Sequence, residues 1–155
     1  EARRMPLRDA SGRERGDSLE ALAQDLGGME LRFAHANPGF ESFGNALLVG
    51  PRLRLEGSSA EFLEGGSVIR TPAGAEKKIG RGCLAAVLSA EEAQSKFAVL
   101  ATHWDHISEG ERLTQARSLL QLRPSLCAEL PHLLVGDLNA MRRSDYSPEQ
   151  WAALE

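Results

Sequence analysis

The residues able to do chemistry concentrate in two short stretches, Thr102-His103-Trp104-Asp105-His106 and Gly136-Asp137-Leu138-Asn139. Each follows an apolar run of strand length. An imidazole leaving one buried strand, opposite a carboxylate leaving another, is the acid/base and charge-stabilising pairing that hydrolysis needs. Taken singly these residues carry little, because most histidines are surface or satisfied core groups and an Asp-x-Asn after a strand equally reads as an Asx-type turn. Position raises them. Gly136 lets the chain turn sharply, and strand alternation sends Asp137 and Asn139 to the same side. His103, Asp137 and Asn139 are therefore the candidate catalytic set. A zinc cluster of His103, Asp105 and His106 competes with this reading, since His and Asp suit that metal. Two histidines three apart in a loop, with remote His35 and His132 to complete the set, make a poor tetrahedron.

The elements that must position this set follow from length and periodicity. Residues 97–102, a helix over residues 108–122 and a strand at residues 133–135 have the span of a crossover connection, so the two strands should be parallel. Their carboxyl ends then share one edge, where open sheets bind ligands. Ser108 and Glu111 give the capping-box pattern, and Leu113, Ala116, Leu119 and Leu120 lie on one helical face before Pro124. Residues 132–135 read as a short buried strand. Upstream, residues 83–88 and 97–102 form an antiparallel hairpin of central strands around the polar residues 89–96. Residues 31–34 and 45–49 pair around the turn signal Asn37-Pro38-Gly39. Asp17 or Ser18 caps a helix carrying Leu19, Leu22, Ala23 and Leu26, which Gly27 and Gly28 stop. Residues 51–55 begin another strand. Residues 57–80 read as a weakly structured connection with one strand at 67–70, and Ser147, Pro148 and Gln150 open a final helix. Residues 1–16 are Arg-rich and poor in apolar groups, so they read as a charged arm, with residues 17–155 as one α/β or α+β domain.

Composition narrows the function classes. With 155 residues, 42% of them hydrophobic, the chain supports a single core burying roughly 70% of its unfolded surface. A formal net charge of -4 gives no basic footprint for a long nucleic-acid interface. Local basic clusters such as Lys77/Lys78/Arg81 and Arg142/Arg143 read as solvated surface. Cys83 and Cys127 lack the spacing of a disulfide framework or a zinc ribbon, which predicts thiols in a reducing compartment. No apolar run approaches the roughly 20 residues of a membrane span, so a soluble protein is expected. The chain opens at Glu1 without Met, and its natural amino terminus is expected to be processed or to lie outside this sequence.

The stretches 102–106, Ser108-Glu109 with Arg112 and Gln115, and Gly136-Asp137-Leu138-Asn139-Ala140 together resemble the endonuclease/exonuclease/phosphatase superfamily, of DNase I-like fold. Gly44-Asn45-Ala46-Leu47-Leu48 resembles the family's upstream strand signature, and Ser144-Asp145-Tyr146-Ser147 the stretch after the Asp/Asn motif. The match runs from about Leu19 to Leu154. The resemblance implies an incomplete two-sheet sandwich with flanking helices, and Mg2+-dependent attack of water on a phosphoester. On that reading Asp137 orients or deprotonates the water, and Asn139 donates a hydrogen bond to the phosphoryl group. His103 stabilises the charge on the phosphorus oxygens, Asp105 and His106 fix the loop, and Arg112 ties to that loop.

The family's site also needs a metal-binding Glu on an early strand and a terminal Asp-His pair, and neither is evident here. Asp9 stands near the Glu position, but residues 1–9 do not read as a buried strand, so the metal ligands are unknown. Two functions follow. One is a Mg2+-dependent phosphodiesterase, nuclease or phosphatase in shortened form. The other is a catalytically silent member, kept as a structural or docking subunit whose exposed sheet edges a protein partner covers.

Overall fold

A computed structural model describes the chain except residues 1, 9, 13, 38–41, 91–94, 141 and 154–155. Asp9, the Pro38-Gly39 turn and the tip of the 89–96 connection fall outside the described residues. The chain runs β1 (Ala2–Arg3), β2 (Pro6–Arg8), β3 (Glu14–Asp17), α1 (Ser18–Asp25), β4 (Glu30–His35), β5 (Phe43–Val49), β6 (Leu53–Leu63), β7 (Val68–Arg70), β8 (Glu76–Lys78), β9 (Arg81–Ala90), β10 (Ser95–His103), α2 (Glu109–Cys127), β11 (His132–Asp137) and α3 (Pro148–Ala152), with a 3-10 turn at Arg143–Asp145. The architecture is α+β, as the sequence implied.

A four-stranded sheet, ordered β11-β10-β9-β6, packs on a three-stranded sheet ordered β1-β5-β4. Alternation along the two central strands explains the layering. Leu84, Ala86 and Leu88 of β9, with Val99 and Ala101 of β10, meet Ala34, Leu47 and Val49 of the smaller sheet. The intervening Cys83, Ala85, Ala98 and Leu100 meet Leu119, Leu126 and Cys127 of α2 on the other face.

Several elements stand where the sequence put them. The Asp17 carboxylate caps α1 by accepting from the amides of Leu19 (2.9 Å) and Glu20 (3.0 Å). Ser147 and Gln150 exchange both capping-box hydrogen bonds at the start of α3. Strands β4 and β5 pair antiparallel, as do β9 and β10.

The arm carries short strands: β1 adds to the edge of β5 and β2 pairs with β3, and residues 2–8 stay half-buried or exposed. Four expectations are corrected. The strand begun at residue 53 runs on to Leu63, because β9 supplies a partner for its whole length despite a register irregularity between Leu55 and Gly57. Helix α2 passes through Pro124 to Cys127. Its buried face is Gln115, Ser118, Leu119, Leu126 and Cys127, while Leu113 and Leu120 are exposed. Strand β11 is an exposed edge, with Leu133 57%, Leu134 40% and Val135 39% accessible.

The polar half of the α2 face has a physical reason. The segment after β6 turns over the helix with its amides pointing at it, and those donors need acceptors. Glu64 N donates to Ser118 Oγ (3.0 Å), and Gly66 N to Glu111 Oε2 (2.6 Å). Glu111 therefore serves this segment, while Ser108 Oγ alone caps the helix by accepting from Glu111 N (3.3 Å).

Candidate active site

Strands β10 and β11 pair in parallel, with Val99 opposite Leu133, Ala101 opposite Val135 and His103 opposite Asp137. Residues two apart share a face, so His103 and Asp137 project from the sheet on the same side as Val99 and Ala101. His103 Nε2 lies 4.0 Å from Asp137 Oδ2, the histidine 16% and the aspartate 60% exposed. The crossover geometry read from the sequence thus brings the two groups together at one strand edge.

Gly136 makes this approach possible. Its φ is +127°, and a Cβ there would stand 1.8 Å from the Thr102 carbonyl oxygen. The glycine is required by backbone proximity across the strand pair as well as by the turn. Beyond it the two loops are laced together. Trp104 N donates to Asp137 O (2.9 Å), and Asn139 Nδ2 donates to Trp104 O (2.9 Å). Asp137 Oδ1 accepts from Asn139 N (2.8 Å), which is the Asx turn, and Asn139 holds the left-handed φ of +48° that asparagine tolerates. The Asx turn and the site are one structure: Oδ1 fixes the loop and Oδ2 faces His103.

Asp105 is completely buried and organises the loop that follows His103 and carries His106. Its Oδ1 accepts from Ser67 Oγ, Ile107 N and Ser108 N, all at 2.8 Å, and its Oδ2 from Ser67 N at 2.9 Å. Burial pushes the carboxyl up, but the hydrogen bonds from Ser67, Ser108 and Ile107 outweigh it and hold the group down at about 2. Gln115 Oε1 accepts from Asp105 N (2.8 Å), and Arg112 Nη1 donates to Asp105 O (3.1 Å). Both helix residues named in the sequence therefore brace this loop, Arg112 through a carbonyl.

Arg81, 4% exposed at the head of β9, has Nη2 3.0 Å from His106 Nδ1. Guanidinium has no acceptor, so Nδ1 must accept and the proton of a neutral His106 sits on Nε2. Arg81, which the sequence reads as part of a solvated basic cluster with Lys77 and Lys78, is instead buried, because it heads the central strand β9 and sets its guanidinium against His106. Ser67 carries no sequence signal for its role.

At the rim, the Gly82 carbonyl accepts from both Asn45 Nδ2 and Thr102 Oγ1 at 2.9 Å, tying the two sheets together beside His103. Outside the β11 end lies a cleft of about 550 Å3, with His106, Arg112, Asp137, Asn139 and Tyr146 among its walls.

The donor set for a metal is sparse. No three His, Cys, Asp or Glu side chains converge to hold an ion among the described residues, and Asp137 is the carboxylate on the cleft wall. Mg2+ is usually held by one or two carboxylates, with waters and substrate phosphate oxygens filling the rest of its six positions, so Asp137 and the Asn139 amide oxygen would hold it only with water and substrate completing the shell. A zinc set of His103, Asp105 and His106 is disfavoured, because Asp105 is filled by four hydrogen bonds and His106 Nδ1 by Arg81.

No family model matches the chain, and no curated protein matches it by sequence. Solved structures do. The human Nocturnin catalytic domain with bound sulfate superposes with a TM-score of 0.59 at 22% identity, covering 80% of this chain and 47% of that one. An endonuclease/exonuclease/phosphatase family protein from Bacteroides thetaiotaomicron gives 0.64 at 18% identity, covering 81% and 46%. A mannosyl-6-phosphatase from the same organism gives 0.63 at 18%, covering 80% and 48%. The chain spans about half the length of these structures. What it carries is the DNase I-like fold of endonuclease/exonuclease/phosphatase structures, over about half of their extent.

Proposed function

We propose that this chain belongs to the endonuclease/exonuclease/phosphatase superfamily and contributes to hydrolysis of a phosphoester by water, with residues 17–155 as its working body. The observation that carries the reading is the parallel register setting His103 against Asp137 beside the Asn139 loop. Asp137 Oδ2, free of the Asx turn, orients the water and takes its proton. His103 Nε2 lies beside it to stabilise negative charge on the phosphoryl oxygens. Asn139 has one amide hydrogen committed to Trp104 O and a second left for a phosphoryl oxygen. The mannosyl-6-phosphatase neighbour supports a phosphoester substrate in general terms.

Mg2+, which the resemblance implies, would supply charge neutralisation, but the described residues offer too few ligands to hold it alone. The test is turnover of p-nitrophenyl phosphate and bis(p-nitrophenyl) phosphate by the purified chain, with Mg2+ and with chelator. Turnover should be lost in Asp137→Ala. Activity no greater than that of the variant would sink the enzyme reading.

A second reading has its own observation. Strand β11 presents Leu133, Leu134 and Val135 on an exposed edge, a template for strand addition by a protein partner. On this reading the chain is a docking or structural subunit. A folded, monodisperse monomer that binds no other polypeptide would count against it.

A further inference from the structure

The cleft beside β11 is rich in donors and poor in acceptor charge. Among the described residues the Arg112 guanidinium forms no ion pair and one hydrogen bond, to the Asp105 carbonyl. It is half-buried, and a guanidinium withdrawn from water without a counter-ion is costly unless an anion completes it. Its remaining N–H groups form the rigid fork that matches a phosphate face. His106 lines the same cleft. With Nδ1 accepting from Arg81, neutral His106 has its N–H at Nε2, a second donor whose tautomer is fixed from behind. Asn139 and Tyr146 add neutral donors, against the single carboxylate of Asp137.

We infer that Arg112 and His106 form the seat of a phosphoryl dianion, so that the substrate is a phosphomonoester rather than a diester. This rests on the phosphoester reading and narrows it. A monoester presents three non-bridging oxygens and nearly two negative charges, enough for the Arg112 fork and the His106 N–H together. A diester presents two oxygens and one charge, and one of its ester groups would have to occupy the donor-lined wall. Asp105 serves the seat indirectly: its carbonyl fixes one arm of the Arg112 fork, and its carboxylate fixes the loop bearing His106.

The probes are inorganic phosphate at pH 8, where it is mainly dianionic, and dimethyl phosphate, a monoanion with both ester positions filled. Binding to the full chain is followed by 15N NMR at the Arg112 Nε–H and His106 Nε2–H resonances. The wild type should bind inorganic phosphate with shifts at both groups, and dimethyl phosphate at least about tenfold more weakly. Arg112→Gln removes the charge and should weaken inorganic phosphate about 10- to 100-fold, as expected for a charged hydrogen bond. Arg112→Lys, a point charge without the fork, should fall between. Dispersed amide spectra identify which variants are folded.

Wild-type affinity in a folded Arg112→Gln, equal binding of the two probes, or no binding by the wild type would each overturn the inference. Its fate separates from that of the hydrolase reading. A chain that binds phosphate at Arg112 yet turns over neither p-nitrophenyl ester keeps the seat and loses the enzyme. A chain that hydrolyses the diester alone, unaffected by Arg112→Gln, keeps the enzyme and loses the seat.

Discussion

Replacing Asp105 by Asn isolates the group on which the site loop hangs. The carboxylate has no solvent exposure and accepts four hydrogen bonds, two of them from the amides of Ile107 and Ser108. In Asp105→Asn the amide oxygen can keep the three bonds made to Oδ1. The NH2 then replaces Oδ2 and faces the Ser67 N–H, donor against donor. An unsatisfied buried amide costs about 1 to 3 kcal/mol, and the remaining bonds lose their charge assistance. A destabilisation of about 3 kcal/mol at pH 7 is expected. The pH dependence gives a second handle. The folded pKa lies at about 2, below the ordinary 3.8, so ionised Asp105 stabilises the fold above about pH 4 and that contribution is lost as pH falls toward 2. The difference is worth roughly 2 to 3 kcal/mol. Urea unfolding followed by tryptophan fluorescence, run on both proteins from pH 7 to pH 2, should show the gap between them narrowing below pH 4. A gap under about 1 kcal/mol at pH 7, or one constant from pH 5 to pH 2, would refute the reasoning.

Gly136→Ala places a methyl 1.8 Å from the Thr102 carbonyl oxygen at a φ of +127°, so the β10–β11 pairing must shift. Circular dichroism and denaturation should show a loss above about 3 kcal/mol, or no folded protein. Burial, with Cys127 nearby, pushes the Cys83 thiol up to about 12, so Ellman's reagent at pH 8 should label it at the rate of unfolding; fast labelling of the native chain would contradict its placement. Pro124 sits inside α2 and cannot donate to the Leu120 carbonyl. Pro124→Ala should therefore raise the melting temperature by several degrees, against a proline cost of up to about 3 kcal/mol. Hydrogen exchange should be faster along β11 than along β10, which is paired on both sides; equal protection would mean that the β11 edge is covered.

The sequence was most legible where a local rule and the tertiary context agreed. The Asp17 cap, the central pair β9 and β10, the Ser108 start of α2 and the parallel crossover each rest on residues whose short-range preference suits their place. Legibility failed where a partner elsewhere overrode composition. Residues 57–63 are polar and Gly-containing, yet form a strand because β9 offers an edge. The apolar residues of α2 predicted the wrong stripe, because the buried positions Gln115 and Ser118 answer loop amides that periodicity does not register. Strand β11 read as buried because its side chains are apolar, and no composition tells an apolar edge from an apolar centre.

That last failure bears on function. Asp137 closes β11, and parallel strands are ordinarily covered on both faces. Here the strand holding the proposed base is the least supported of the four, secured on one side by β10 and at its end by the Trp104–Asn139 exchange. Local opening of such an edge takes the candidate site with it. An anion seated on Arg112 and His106 and reaching the Asn139 amide on the same cleft wall would tie α2 to the β11 loop, and a polypeptide pairing with the free edge would fix the same strand from outside. Because both bind the closed strand and lose their seat when it opens, each must strengthen the other by the same factor. The hydrolase and docking readings are therefore not exclusive: whatever covers Leu133, Leu134 and Val135 would also hold Asp137 in place for chemistry.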